Sequence, residues 1–182
     1  MIIPTDFLEA LPFPQKASEL ADVDDLFGGL VGSWNMEAVL HDDDGQVHRV
    51  RGELFASWVL EGRAIQDLFI FPSRAERVKG VPARGDRYAT TIRTFDRKLN
   101  AWRVTFINPA DDETSAELVA RREGNGIIME GKLRGGTSIR WRYHTITPTS
   151  FHYSAERLKP NGKSWHLYLE LFGKRSNPME SP

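Results

Sequence analysis

From Ser33 onward the chain runs in short stretches rich in Trp, Phe, Val, Ile and Thr, divided by Asp-Gly, Glu-Gly, Asn-Gly and Gly-Gly pairs. Alternating apolar and polar positions between turn pairs are the mark of strands. The pattern predicts ten of them, at 33–41, 47–60, 63–72, 87–96, 101–108, 114–122, 126–134, 138–147, 151–158 and 164–174. Ten antiparallel strands in sequence order usually close on themselves, because an open edge invites aggregation. The first 32 residues differ. Prolines 4, 12 and 14 interrupt an arm, after which Leu20, Val23, Phe27 and Leu30 recur at helical spacing between Ser18 and the Gly28-Gly29 pair. The expected architecture is all-β: a meander barrel of about ten antiparallel strands with one short N-terminal helix. Residues 1–25 form the arm and the start of the helix, 26–175 the single barrel domain, and 176–182 a disordered tail.

Turn chemistry then assigns faces, since loop length sets hairpin register and directly opposed residues share a face. Asp43-Asp44-Gly45 and Pro160-Asn161-Gly162 each suit a three-residue loop with a left-handed glycine. The first pairs Leu40 with His48, Ala38 with Val50, Met36 with Gly52 and Trp34 with Leu54, and on the other face Glu37 with Arg51. The second pairs Arg157 with Trp165, Ala155 with Leu167, Tyr153 with Leu169 and Phe151 with Leu171. A three-residue loop at Pro148-Thr149-Ser150 sets Thr145 opposite Tyr153, Tyr143 opposite Ala155 and Trp141 opposite Arg157. The reverse face carries Arg140, Arg142, His144, His152, Glu156, His166 and Glu170, with Arg142 opposite Glu156. Histidines 144, 152 and 166 therefore point outward, against a metal or haem site. His41, beside Asp42-Asp43-Asp44, belongs to a solvated turn that could attract a cation.

The interior that results is apolar and aromatic: Trp34, Met36, Leu54 and Trp58 from the early strands, with Trp141, Tyr143, Phe151, Tyr153, Trp165, Leu167 and Leu169 from the late ones. A two-residue Glu61-Gly62 turn adds Arg63, Ile65, Asp67, Phe69 and Phe71, placing two charges inside. A turn longer by one sends Ala64, Gln66, Leu68 and Ile70 inward instead, and the two readings stand level. A buried charge needs a partner or a ligand. In the strand at 101–108, Trp102, Val104, Phe106 and Asn108 face inward. Ten strands enclose more volume than eight, and the surplus is commonly a ligand cavity.

Composition narrows the chemistry. The chain has 182 residues, no cysteine, and 24 basic against 25 acidic side chains. Zinc–cysteine sites, iron–sulfur clusters and thiol chemistry are excluded, and a chain this long buries roughly 70% of its unfolded surface without a disulfide. Balanced charge gives no nucleic-acid footprint. The first residues carry no basic, apolar secretory signature and no stretch reaches membrane-spanning length, so the expectation is a cytoplasmic protein with no membrane or nucleic-acid partner.

Leu30-Val31-Gly32-Ser33-Trp34 at the start of the first strand resembles the Gly-X-Trp signature of the calycin superfamily, the lipocalins and fatty-acid-binding proteins. With Trp58-Val59-Leu60-Glu61-Gly62-Arg63, Thr91-Ile92-Arg93-Thr94-Phe95-Asp96, Ala101-Trp102 and Asn161-Gly162-Lys163-Ser164-Trp165, the chain looks like a bacterial DUF1579-like, lipocalin-like barrel over roughly residues 26–175. The resemblance implies that Trp34 closes one end of the barrel against a basic residue of the last strand, for which Arg175 has the right parity. It carries no catalytic residue and no cofactor. A nitrobindin-type haem barrel is a related form, but it needs an axial histidine in the pocket.

Residues 73–87 form a cationic loop, five basic side chains against two acidic, that is either a solvated connection or a lid receiving an anionic head group. The leading function is a lipocalin-like carrier or sensor of a small hydrophobic or aromatic molecule, anionic in one version. Its candidate ligand-binding residues are Trp58, Arg63, Asp67 and Phe69, together with Phe106, Asn108, Tyr143 and Tyr153. An enzyme of the barrel-cavity type would use Tyr143 or Tyr153 as acid and Asp67 as base for isomerase, cyclase or lyase chemistry. A filled barrel would act through its surface, as a homodimer joined by outward Ile107, Tyr168 and Phe172.

Overall fold

A computed structural model describes residues 5–78 and 86–176. After a short helix α1 (Thr5–Ala10) come eleven strands: β1 (Pro12–Phe13), β2 (Gly32–His41), β3 (Val47–Val59), β4 (Ala64–Phe71), β5 (Arg87–Asp96) and β6 (Ala101–Ile107), then β7 (Ala116–Glu123), β8 (Gly126–Leu133), β9 (Ser138–Ile146), β10 (Ser150–Leu158) and β11 (Trp165–Arg175). Each of β2 to β11 pairs antiparallel with its sequence neighbour, and β11 returns to β2, so ten strands close into a barrel. β1 is an extra strand laid beside the end of β3. The one α-helix among the described residues lies earlier than the periodicity predicts. Between Ser18 and Leu30 there are only two 3-10 turns, Ser18–Leu20 and Gly28–Leu30, yet Leu20, Val23, Leu26, Phe27 and Leu30 are all buried. An irregular segment that plugs one end of a barrel can bury the same apolar residues without a helical ladder.

That segment closes the barrel end where β2 begins. Trp34 Nε1 donates to Leu30 O at 2.7 Å, and Trp102 Nε1 donates to Asp24 O at 3.1 Å. Arginines from two turns and from the end of β7 hold the segment down: Arg63 on Glu19, Arg97 on Asp22 and Arg122 on Asp24. Arg175 lies over the Trp34 ring at 4.1 Å and donates to Val31 O and Gly29 O at 2.8 and 3.0 Å. Gly32 has φ +127°, a conformation that favours glycine, and a Cβ there would stand 2.4 Å from Arg175 Nη1 and push the guanidinium aside. The turns between β2 and β3, β4 and β5, β6 and β7, β8 and β9, and β10 and β11 gather at the opposite, open end.

The hairpins show how far turn chemistry reaches. Between β2 and β3 the three-residue loop is present, with Gly45 at φ +85°, and every predicted pair from Leu40↔His48 to Trp34↔Leu54 is found. Glu37 stands opposite Arg51 but bonds Arg49 instead. At β9–β10 the turn is shorter, Pro148-Thr149 between Thr147 and Ser150, and a bulge at His144 restores the parity. The inward set survives, shifted by two: Tyr143 faces Tyr153, and Arg140, not Arg142, faces Glu156. At β10–β11 the loop is longer, Pro160 to Lys163, and a bulge at Tyr168 compensates. Here the faces change. Glu156 pairs with Leu167 and Leu158 with Trp165, so Trp165 and Leu167 lie outside, with Arg140 over the Trp165 ring. Tyr168, expected outside, turns in beside Leu169, leaving Ile107 and Phe172 as the exposed pair.

The outer face of β9 to β11 is a charged strip. Glu156 accepts from both Arg140 and Arg142, and His144 stacks on His152, which stacks in turn on Phe172. Burial, reinforced by the neighbouring His152 and Arg142, holds the His144 pKa below its usual 6.5. The unfolded chain then binds the proton more readily, so stability is lost as pH falls from 6.5 towards the depressed folded value. Thermal unfolding at pH 7.5 and 5.5 should show a smaller decline for His144→Gln than for the wild type; an equal decline removes His144 from the cause.

Candidate functional site

Inward side chains of β4 to β6 and β8 to β11 leave a cavity of about 110 Å³ towards the open end. At roughly 10–15 Å³ per enclosed water, that is room for a small organic molecule. Its walls are mainly apolar: Phe69, Val104, Phe106 and Met129 on one side, Trp141, Tyr143, Tyr153, Leu169 and Leu171 on the other. The rings meet edge to face, Phe106 on Trp141 at 5.5 Å, while Tyr143 and Tyr153 lie tilted at 5.0 Å. Trp141 Nε1 donates to the Tyr168 hydroxyl at 2.7 Å, a contact that exists because the β11 bulge turns Tyr168 inward.

One wall is charged. Val59 pairs with Ala64 across the β3–β4 turn, the register of the shorter Glu61-Gly62 reading, so Ile65, Asp67, Phe69 and Phe71 face inward. Asp67 is 2% exposed and Arg93 is 4% exposed, and they form an ion pair of 2.7 Å. The other Asp67 oxygen accepts the Thr91 backbone N–H at 3.1 Å. The guanidinium lies over the Phe27 ring at 4.9 Å, which ties the site to the segment closing the far end. Its Nε and Nη1 are buried with no hydrogen-bond partner. A buried donor left unmade costs about 1–3 kcal/mol. Burial works most strongly against the Arg93 charge, but Asp67 together with the Tyr143 and Tyr153 hydroxyls more than offsets it, so the pKa stays raised. Burial likewise pushes up the hydroxyls of Tyr143 and Tyr153, with Arg93 opposing, and that of Tyr168 to about 12. All three phenols are neutral donors at ordinary pH.

Arg93 is the residue sequence reasoning missed. Its signal was parity: Thr91, Arg93 and Phe95 alternate on one face, but the long connection after β4 fixes no register. Of the predicted ligand residues, Asp67, Phe69, Phe106, Tyr143 and Tyr153 come together around the cavity. Trp58 is buried in the core outside the lining. Arg63 does not face inward: it follows a turn on the surface, where Glu19 and Glu61 hold it. Asn108 is buried beyond the end of β6, its backbone N–H on Ser115 and its amide on Thr114, and orders the β6–β7 turn.

At the mouth the cavity opens into a wider vestibule of about 500 Å³, sharing Arg87, Arg157 and Tyr168. Arg157 bonds Asp43 at 2.7 Å and lies over Tyr168, while Arg87 lies over Phe71 at 5.5 Å. The acidic turn is bound up in such pairs, His48 on Asp42 and His166 against Asp43. Among the described residues no cluster fits a metal ion. The middle of the basic loop, residues 79–85, lies outside the described residues; Arg77 near its start bonds Asp86 at 2.5 Å. None of the five histidines lines the cavity, so it lacks the axial ligand of a nitrobindin-type haem barrel. No helix of the described residues is long and apolar enough to cross a membrane.

No protein-family profile matches the sequence, and no curated protein matches it significantly. Solved structures share the fold. Rv2717c from M. tuberculosis is similar with TM-score 0.59 at 13% identity, covering 90% of this chain and 100% of its own. The S-type phycobiliprotein lyase CPES from Guillardia theta is similar with TM-score 0.55 at 12% identity, covering 85% of this chain and 93% of its own. At such identities the likeness concerns the barrel alone.

Proposed function

We propose that this protein is a lipocalin-like binding protein that holds a small hydrophobic or aromatic anion in the barrel, a distant relative of the DUF1579-like barrels. The observation that carries this is an aromatic cavity whose one buried cation keeps Nε and Nη1 without partners. Apolar walls supply affinity, and a few fixed polar groups supply orientation. A filled barrel working through its surface gives no role to an aromatic cavity with a buried ion pair in its wall. Turnover is less well supported, because both oxygens of Asp67, the candidate base, are already engaged by Arg93 and Thr91.

Titration with 2-naphthoate tests the reading: saturable quenching of Trp141 fluorescence and a rise in melting temperature are expected. Absence of both, with no small molecule released on denaturing protein purified from its native host, overturns it. Tyr153→Phe should fold normally and weaken 2-naphthoate binding by about three- to tenfold, the worth of one hydrogen bond. An unchanged Kd takes the Tyr153 hydroxyl out of the site.

A further inference from the structure

The charges around the cavity are not equivalent, and their partners sort them. Four ionised side chains line it: Asp67, Arg87, Arg93 and Arg157. Deep inside, Asp67 cancels Arg93, and at the rim Asp43 cancels Arg157. Arg87 makes no ion pair among the described residues; its guanidinium rests on the Phe71 ring, at the junction of cavity and vestibule. Arg87 and Tyr168 both line the cavity and the vestibule, which places Arg87 over the upper part of the cavity. The cation without a direct carboxylate partner among the described residues is therefore at the mouth, where Asp42, Asp43 and Asp44 line the vestibule with it and Asp42 and Asp43 are engaged by His48 and Arg157. The deep guanidinium has spare N–H donors but no spare charge.

An acid group bound at Arg93 would stand beside the Asp67 carboxylate, two negative charges on one guanidinium in a dry site, which is strongly unfavourable. A neutral oxygen there meets the orphaned Nε and Nη1 at no such cost. An acid group beside Arg87 gains a charge-assisted bond while keeping part of its hydration. Resting on the binding function proposed above, we infer that the ligand is a monoanion bound acid-outward: its carboxylate or similar acid lies at Arg87, an aromatic or apolar body fills the cavity, and a carbonyl or hydroxyl oxygen at the far end meets Arg93. The substrate class is an oxo- or hydroxy-substituted aromatic or short apolar acid. Arg87 and Arg93 are its specificity-determining residues, one reading the acid and the other the distal oxygen.

Three probes of similar shape separate the two readouts: 2-naphthoate, with the acid alone, 2-naphthol, with the oxygen alone, and 6-hydroxy-2-naphthoate, with both. Arg87→Gln should weaken both acids about tenfold or more and leave 2-naphthol within about twofold, as loss of one charge-assisted contact requires. Arg93→Lys keeps a cation for Asp67 but loses the guanidinium fork, and should abolish the preference for 6-hydroxy-2-naphthoate over 2-naphthoate. If Arg87→Gln weakens all three probes alike, or if Arg93→Lys selectively weakens the acid without a hydroxyl, the acid-outward orientation is overturned while binding itself stands. If none of the probes binds the wild type, the binding function falls and takes this inference with it. Melting curves show whether Arg93→Lys is folded; where it is not, the Arg87→Gln series decides alone, because that residue sits at the rim.

Discussion

Asp67→Ala should lower the free energy of unfolding by about 3–5 kcal/mol in urea denaturation, the loss expected when one partner of a buried ion pair is removed. The reason lies in what remains. Arg93 already carries two unsatisfied nitrogens, and without Asp67 the guanidinium would have no ion-pair partner among the described residues. Desolvation of that charge is then opposed by the Phe27 ring beneath it and by the neighbouring Tyr143 and Tyr153 hydroxyls, none of which is a counter-charge. The companion variant Asp67→Leu/Arg93→Met replaces the pair by apolar side chains of similar bulk and should recover most of the loss. It should also cost the protein its discrimination between probes with and without a distal oxygen. A single variant that loses less than about 1 kcal/mol, against the expectation for a buried pair, would mean that water reaches the site and relieves the charge.

Trp34→Ala should cost about 3–5 kcal/mol by the same measurement, through a different cause. The indole is fully buried, is met edge to face by Phe151 at 5.1 Å, and is covered by Arg175. Removing it opens a void and strips Arg175 of its cation–π partner, and it also frees Leu30 O from the Nε1 bond. The barrel end opposite the cavity would loosen. Trp34→Phe should cost distinctly less, because it keeps a ring beneath Arg175 and loses mainly the hydrogen bond. Equal losses for the two substitutions would assign the effect to the Nε1 bond instead of the packing.

Strand positions were readable because alternation and turn pairs are local. All ten predicted strands occur within about three residues of their expected ends. Register was readable only where a turn leaves one choice: Asp43-Asp44-Gly45 does, with its glycine in the left-handed region. Pro148-Thr149-Ser150 and Pro160-Asn161-Gly162 do not, because each actual turn differs by one residue and a bulge further along absorbs the difference. Bulges have no sequence signal when the residue involved is His144 or Tyr168 instead of glycine. The same limit governs the site. Tyr143, Tyr153 and Phe106 follow from alternation along their own strands, whereas the connection from β4 is too long to give Arg93 a parity, and its inward position follows only through the 97–100 turn that sets it opposite Val104. The N-terminal segment fails for another reason: Leu20, Val23, Phe27 and Leu30 are spaced as in a helix, but their burial is set by the barrel end they cover.

The bulge in β11 adds one residue to the lumen without turning the strand. β11 presents Tyr168 and Leu169 to the interior in succession. Deleting Tyr168 alone would leave Leu167 outside and Leu169 inside in ordinary alternation, each still opposite its partner on β10, Glu156 and Ala155. The pocket would lose one phenol and the bond that Trp141 makes to it, while the rest of the wall stayed in place. A length change of one residue at this point therefore acts like a substitution, and variants of this barrel lacking the bulge residue should hold a less polar cargo on the same ten strands.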